Sequence, residues 1–394
     1  MSGLNVGTES IIVKNMHHYT ANYVLTEWGL LPDVLLSVEG DGKIAKVEYW
    51  AGEWPKDTLV FDGVICPGFV NAHCHLELSA MVGMLPRGAG MKAFVHMMLS
   101  RREGFSPEHE RFAAAHALKA AAESGTALLA DVANTDAAYP LYDEGGGVEV
   151  VGFREALGLN PDAAESIFDR ASAEIRDHLT AHALYSLSDE LWNLWRQKKP
   201  PGPVSLHLLE SPEERDFFDG GDDLNNFFLS LGLKPIPPDA ARLFERLAQL
   251  PTHEPTLFVH LAHARKIEID FILQNFSRPY FCFCPRSNLY IHGTLPDFSI
   301  FDFDSGRVCI GTDSLASNDD LSMVEELKTI QQAAENVSLE SLLYCATRNG
   351  ADFLGLGSRY GTLRAGAAPG LVGITNVSDD AKRLSIDSRA VRLL

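Results

Sequence analysis

The sequence predicts an α/β protein: a (β/α)8, TIM-like barrel over residues 66–361, flanked by a small β-sandwich drawn from both chain ends, 1–65 and 362–394. Three observations predict it. A chain of 394 residues suits one barrel of roughly 250 to 300 residues plus a smaller unit. Strand-like runs alternate with longer amphipathic helices through the middle of the chain, the pattern of a parallel sheet. Histidines and an aspartate end several of those runs, where a barrel opens onto its active face.

In chain order, SIIVKN, DVLLSVEG, KIAKVEYW and TLVFDG read as strands, with GDGK as a hairpin turn. After CPGF the pattern changes. GFVNAH, TALLADV, VEVVGFREA, VSLHLL, TLFVHLA, YFCFCP and VCIGTD read as barrel strands, separated by helices such as HERFAAAHALKAAAES and SMVEELKTIQQAAEN. From Thr362 onward short strands return, and the two β-rich ends are expected to meet.

A formal net charge of −20 argues against a nucleic-acid partner or an anionic membrane surface, since both need a basic face. No apolar run approaches the roughly 18 residues of a bilayer span, and the start MSGLNVGTESIIV lacks the basic and apolar regions of a signal peptide. The six cysteines form no CxxC pair and sit mostly in apolar runs, as free thiols do in a reducing compartment. A cytoplasmic protein with a small-molecule substrate is expected; a homodimer is left open.

His73-Cys74-His75 ends the first barrel strand, and residues two apart on a strand point to the same side. Both imidazoles can therefore face one ion. Alone, HxH is a weak signal and is often a pair of loop histidines. His207 ends Val204-Ser205-Leu206-His207, and Asp313 follows Val308-Cys309-Ile310-Gly311-Thr312. A buried strand ending in such a group is costly unless the group is paired or bound. Four at successive strand ends point to one divalent cation held by His73, His75, His207 and Asp313, zinc ahead of iron.

PGFVNAHCHLELS, SLHLLES, CPRSN, GTDSLASN and ATRNGADFLGL…GTLRAG together resemble the amidohydrolase superfamily, from about Gly63 to Ile374. Within it they are similar to the aminohydrolase branch, which deaminates cytosine, guanine, adenosine-type nucleosides and triazines and includes chlorohydrolases. The resemblance implies the same barrel and the same four ligands. Some superfamily members hold two metals on a carboxylated lysine. Here Lys92, Lys119, Lys198 and Lys199 are the lysines between His75 and His207, and none suits a middle strand. One metal is expected.

Glu210, three residues after His207, can lean over the metal without binding it. A metal-activated water attacking a ring carbon needs a group to carry a proton to the ring nitrogen, and a carboxylate with a raised pKa suits that task. The alternative is a solvated glutamate at a helix start. His260 ends Leu257-Phe258-Val259-His260; by resemblance it orients the water or the substrate while Asp313 accepts the proton, with His263 as the competing neighbour. His182 in HALYSLS resembles a stretch that often lies near substrate, though a core histidine would read the same way. By resemblance Ser317 and Asn318 shape the pocket, and Asn288 fixes a loop. Glu77 makes HCHLELS similar to aminofutalosine deaminases, which act on an adenine base carried by a modified ribose. There it would accept sugar hydroxyls, or else cap a loop. PGLVGI near Leu371 departs from the acidic pattern of relatives, which bears on packing rather than chemistry. The expected reaction is hydrolytic deamination of an amino-substituted heteroaromatic ring, such as a 6-aminopurine nucleoside, with ammonia released. Hydrolysis of a cyclic amide or a carbon–halogen bond, and a scaffold without activity, are the alternatives.

Overall fold

A computed structural model describes residues 16–101, 104–144 and 146–394. The SIIVKN strand expected at the start lies outside these residues. Strands β1 (Met16–Thr26), β2 (Gly29–Leu31), β3 (Val34–Glu39), β4 (Ile44–Tyr49) and β5 (Leu59–Pro67) precede the parallel part of the chain, and β14 (Leu371–Val377) and β15 (Leu384–Arg392) follow it. They hydrogen-bond into one seven-stranded sheet, in the order β15-β14-β5-β1-β3-β4 with β2 on β1. The two ends of the chain thus meet where β14 runs antiparallel to β5, Leu371 opposite Pro67. GDGK makes the expected turn between β3 and β4, with Gly42 at φ 86°, a conformation that glycine adopts without strain.

The eight parallel strands are β6 (Phe69–Cys74), β7 (Thr126–Ala133), β8 (Glu149–Ala156), β9 (His178–Ala181), β10 (Val204–Leu208), β11 (Thr256–His260), β12 (Pro279–Phe283) and β13 (Val308–Ile310). Seven match the runs read from the sequence. The eighth, β9, is only four residues long and has too little pattern to be seen. The strands form two parallel four-stranded sheets, β6-β7-β8-β9 and β10-β11-β12-β13. Single parallel bridges link the two, Ala183 with His207 and Cys74 with Asp313. Every residue of β6, β7, β10, β11, β12 and β13 is buried, as expected of parallel strands covered on both faces.

Gly311 shows how closely the last strand approaches the first. A Cβ there would lie 2.8 Å from the carbonyl oxygen of His73, so no larger residue fits. All six cysteines are buried and unpaired. Among the described residues no helix is long and apolar enough to cross a membrane.

Candidate metal centre and active site

The C-terminal ends of β6, β10, β11 and β13 bring together the residues singled out in the sequence. His75 Nε2 lies 3.1 Å from His73 Nε2 and 3.2 Å from His207 Nε2, and 3.8 Å from Asp313 Oδ1. Two ligands about 2.1 Å from a tetrahedral zinc ion stand roughly 3.4 Å apart, so the imidazole spacing suits one shared cation. His73, His75 and His207 form one group whose ligand atoms lie within 4.8 Å of each other, and Glu210, His260 and Asp313 form another.

The tautomer of His207 fits that role. Its Nδ1 is 3.0 Å from the His182 carbonyl oxygen, to which it donates, leaving the Nε2 lone pair facing the other two rings. Burial, followed by the neighbouring histidines, holds His73 well below the ordinary imidazole range, and burial followed by His182 does the same for His207. Both rings are therefore neutral, the form that binds metal. Burial alone would raise Asp313, but His260, His75 and a hydrogen bond from Ser287 keep it lowered and ionised. Its Oδ2 accepts from Ser287 Oγ at 2.5 Å and Ser317 Oγ at 2.9 Å, which turns Oδ1 towards the imidazoles.

Several of these residues sit where the backbone leaves its strand under strain. Leu209, His260, Leu261 and Asp313 have φ between 51° and 71°, a left-handed conformation that costs a non-glycine residue about 1 kcal/mol or more. Of these four, His260 and Asp313 present their side chains to the cavity, while Leu209 and Leu261 pack into the core.

Glu210 is buried, with Oε1 3.6 Å from His260 Nε2. Burial first, then Asp313 and Glu214, push its carboxyl well above the ordinary range. A carboxyl biased towards its protonated form is thus held beside the imidazole cluster. Glu214 fixes the turn, since its Oε2 accepts the Glu210 N–H at 2.8 Å. His260 is fully buried, and Asn288 lies 3.4 Å from its Nδ1. His263 instead lies beside His292, their ring centroids 6.4 Å apart, so His260 is the member of the pair that faces the cluster.

A cavity of about 330 Å3 opens over these groups, lined by His75, Glu77, His182, Glu210, His260 and Asp313, with Met91, Phe94, Leu157 and Phe228 among its apolar walls. His182 lines it with Nδ1 tied to Ser186 Oγ at 2.8 Å, and burial lowers its pKa to about 3. Glu77 lines it too, but its oxygens already hold the loop after β7. They accept from Asn134 N at 3.1 Å and from Thr135 N at 2.8 Å, and also meet the Thr135 hydroxyl. Ser317 differs from expectation. It is fully buried behind Asp313 and is absent from the cavity wall, because its hydroxyl is turned to the carboxylate.

No lysine reaches the cluster from the stretch between His75 and His207. Lys92 pairs with Asp223, Lys199 with Glu254, and Lys119 and Lys198 are exposed. Two residues of the site went unread in the sequence. Ser287 sits inside CPRSN, where a serine gives no signal of its own. Glu155 is the penultimate residue of β8, where His207 stands in its own strand region, so the same strand-end reasoning applied to VEVVGFREA could have found it.

A sequence profile of the amidohydrolase family matches residues 64–388. An aminodeoxyfutalosine deaminase from Nitratiruptor is 26% identical over 362 residues, covering 85% of this chain and 87% of its own. A 5-methylthioadenosine/S-adenosylhomocysteine deaminase from Haloarcula marismortui is 25% identical, covering 85% and 78%. Among solved structures, aminofutalosine deaminase from Helicobacter pylori in complex with methylthio-coformycin superposes with a TM-score of 0.74 at 23% identity, covering 91% and 92%. Zinc-complexed atrazine chlorohydrolase from Arthrobacter aurescens does so with 0.71 at 19%, covering 95% and 92%.

Proposed function

The chain belongs to the amidohydrolase family, and we propose that it is a mononuclear metal-dependent deaminase of 6-aminopurine nucleosides, with aminodeoxyfutalosine as the leading candidate. It is a hydrolase of carbon–nitrogen bonds outside peptides, as its relatives are. The observation that carries the finer reading is the clustering of three imidazoles and an ionised Asp313 with Glu210, whose carboxyl is raised by burial, at one cavity floor.

In this reading His73, His75, His207 and Asp313 hold one divalent cation, zinc ahead of iron. The cation, when bound, supplies the Lewis acidity that makes water nucleophilic near neutral pH. The remaining work belongs to the side chains. Glu210 gives its proton to the ring nitrogen beside the amine-bearing carbon, making that carbon electrophilic. Asp313, kept anionic by His260, His75 and the Ser287 hydroxyl, takes the proton of the attacking water, and His260 orients that water. Proton return to the amine lets ammonia leave. His182 meets the far edge of the ring, and Glu77 shapes the sugar side of the cavity through the loop it holds. Ser317 serves through Asp313.

Hydrolysis of a carbon–halogen bond would use the same ligands and the same protonation of the ring nitrogen, so release of ammonia rather than halide is the readout that separates the two. A scaffold would have no use for the raised carboxyl of Glu210.

The same reading closes the eight parallel strands into one (β/α)8 barrel over 66–361. It takes the sheet from 1–65 and 362–394 as the flanking sandwich. The bridges from Ala183 to His207 and from Cys74 to Asp313 support closure.

The test is ammonia release, with loss of the amine chromophore, from aminodeoxyfutalosine, adenosine, S-adenosylhomocysteine, adenine, guanine and cytosine. Turnover of free bases alone would refute the nucleoside assignment while leaving deamination standing.

A further inference from the structure

Glu155 is the penultimate residue of β8 and has no role in the reaction set out above. It is 5% exposed and lines the catalytic cavity. Its two oxygens differ. Oε2 accepts from Asn134 Nδ2 at 2.7 Å, whereas Oε1 is buried with no hydrogen-bond partner. The nearest candidate donor is His207 Nδ1 at 3.5 Å, but the single proton on that nitrogen goes to the His182 carbonyl at 3.0 Å.

A buried carboxylate oxygen without a donor is costly, and the residue that carries this one lines the catalytic cavity. Glu155, Asn134 and Leu157 also line a second chamber of about 410 Å3 beside the catalytic cavity. Glu155 therefore stands on the wall that both spaces share. Glu77 cannot substitute for it, because its oxygens are committed to Asn134 and Thr135. The order is Glu77 to the loop, Asn134 of that loop to Glu155, and Glu155 to the cavity.

We propose that Glu155 is a specificity-determining residue whose Oε1 accepts one hydrogen bond from the substrate, from a sugar hydroxyl or from a ring N–H. The inference rests on the nucleoside reading above and deepens it.

The test uses inosine, its singly deoxygenated analogues and free hypoxanthine, products that a deaminase cannot consume. Their binding to metal-loaded wild type, Glu155→Gln and Glu155→Ala is measured by calorimetry, with the metal content of each protein. Loss of the carboxylate should weaken inosine by about 10- to 100-fold, the scale of a hydrogen bond to a charged group, with metal content unchanged. If a sugar hydroxyl is the donor, one deoxygenated analogue binds wild type that much more weakly and loses nothing further in the variants. If the ring is the donor, hypoxanthine and every analogue lose the same factor as inosine. Unchanged affinity for all ligands overturns the proposal, as does an absence of binding to wild type. Loss of metal in both variants also overturns it, making Glu155 a support for His207. Ammonia release from adenosine is followed separately. Its absence with the binding pattern intact would sink the deaminase reading and leave Glu155 where we place it.

Discussion

Removing the two hydroxyls behind Asp313 probes the proposed metal centre without touching any of its proposed ligands. Ser287 Oγ and Ser317 Oγ each bring one proton to Asp313 Oδ2, and the two oxygens are 2.9 Å from each other. A hydrogen bond to a buried charge contributes about 1.5 to 3 kcal/mol, and loss of a partner that orients a ligand typically costs about 10- to 100-fold in metal affinity. The two scales agree. Ser287→Ala or Ser317→Ala alone should weaken the metal by about 10-fold, because the surviving hydroxyl still anchors Oδ2. The double variant leaves Oδ2 without a donor, and its loss should exceed the sum of the singles by about 1 kcal/mol, as expected for groups that share a partner. The assay is competition with a chromophoric chelator, read beside turnover and thermal unfolding. A double variant that holds metal and turns over like wild type would show that Asp313 needs no such anchoring. Strict additivity would refute the shared-oxygen argument.

Three further outcomes are expected. Purified protein should carry close to one transition metal per chain and lose activity on chelation; two tight equivalents with a modified lysine would contradict the mononuclear assignment. Glu210→Gln should keep its metal while turnover falls at least about 10²-fold, the usual scale for a lost general acid–base; near-normal turnover in loaded protein would move proton transfer elsewhere. Glu214, raised by burial to about 7 from an ordinary 4.5, is protonated in the fold at a pH where the unfolded chain is ionised. Its contribution is complete below 4.5 and is lost as pH rises through 7. Glu214→Gln should therefore gain up to about 3 kcal/mol on wild type between those pH values, measured by denaturant unfolding, and parallel curves for the two proteins would refute it.

The parallel half of the fold was legible because buried strands leave unbroken apolar runs, and because a His or Asp closing such a run is conspicuous. The N-terminal sheet was less so. β1 carries MHHYTANYVLT, whose polar residues hide its alternation, and its two histidines drew no strand reading. HLTA of β9 is shorter than any usable period. Within the site, residue type alone could point to the candidate ligands but not say which way a carboxylate points. Glu77 and Glu155 both line the cavity, and only the hydrogen bonds of Asn134 tell the committed one from the one with an open oxygen. Ser287 and Ser317 look alike in the sequence for the same reason; their protons are visible only from Asp313.

The two bridges that join the four-stranded sheets bear on how the chain assembles. One includes Asp313, the other His207, and Cys74 stands between His73 and His75. A cation gripped by these four side chains would span both joints at once, acting as a rivet where the backbone ladders are thinnest. Each half can form from contacts close in sequence, which is kinetically cheap, while the joints must wait for chain segments far apart to meet. Metal capture would then be the last step of folding as well as the first of catalysis, and a metal-stripped enzyme would open at these joints before it unfolds elsewhere.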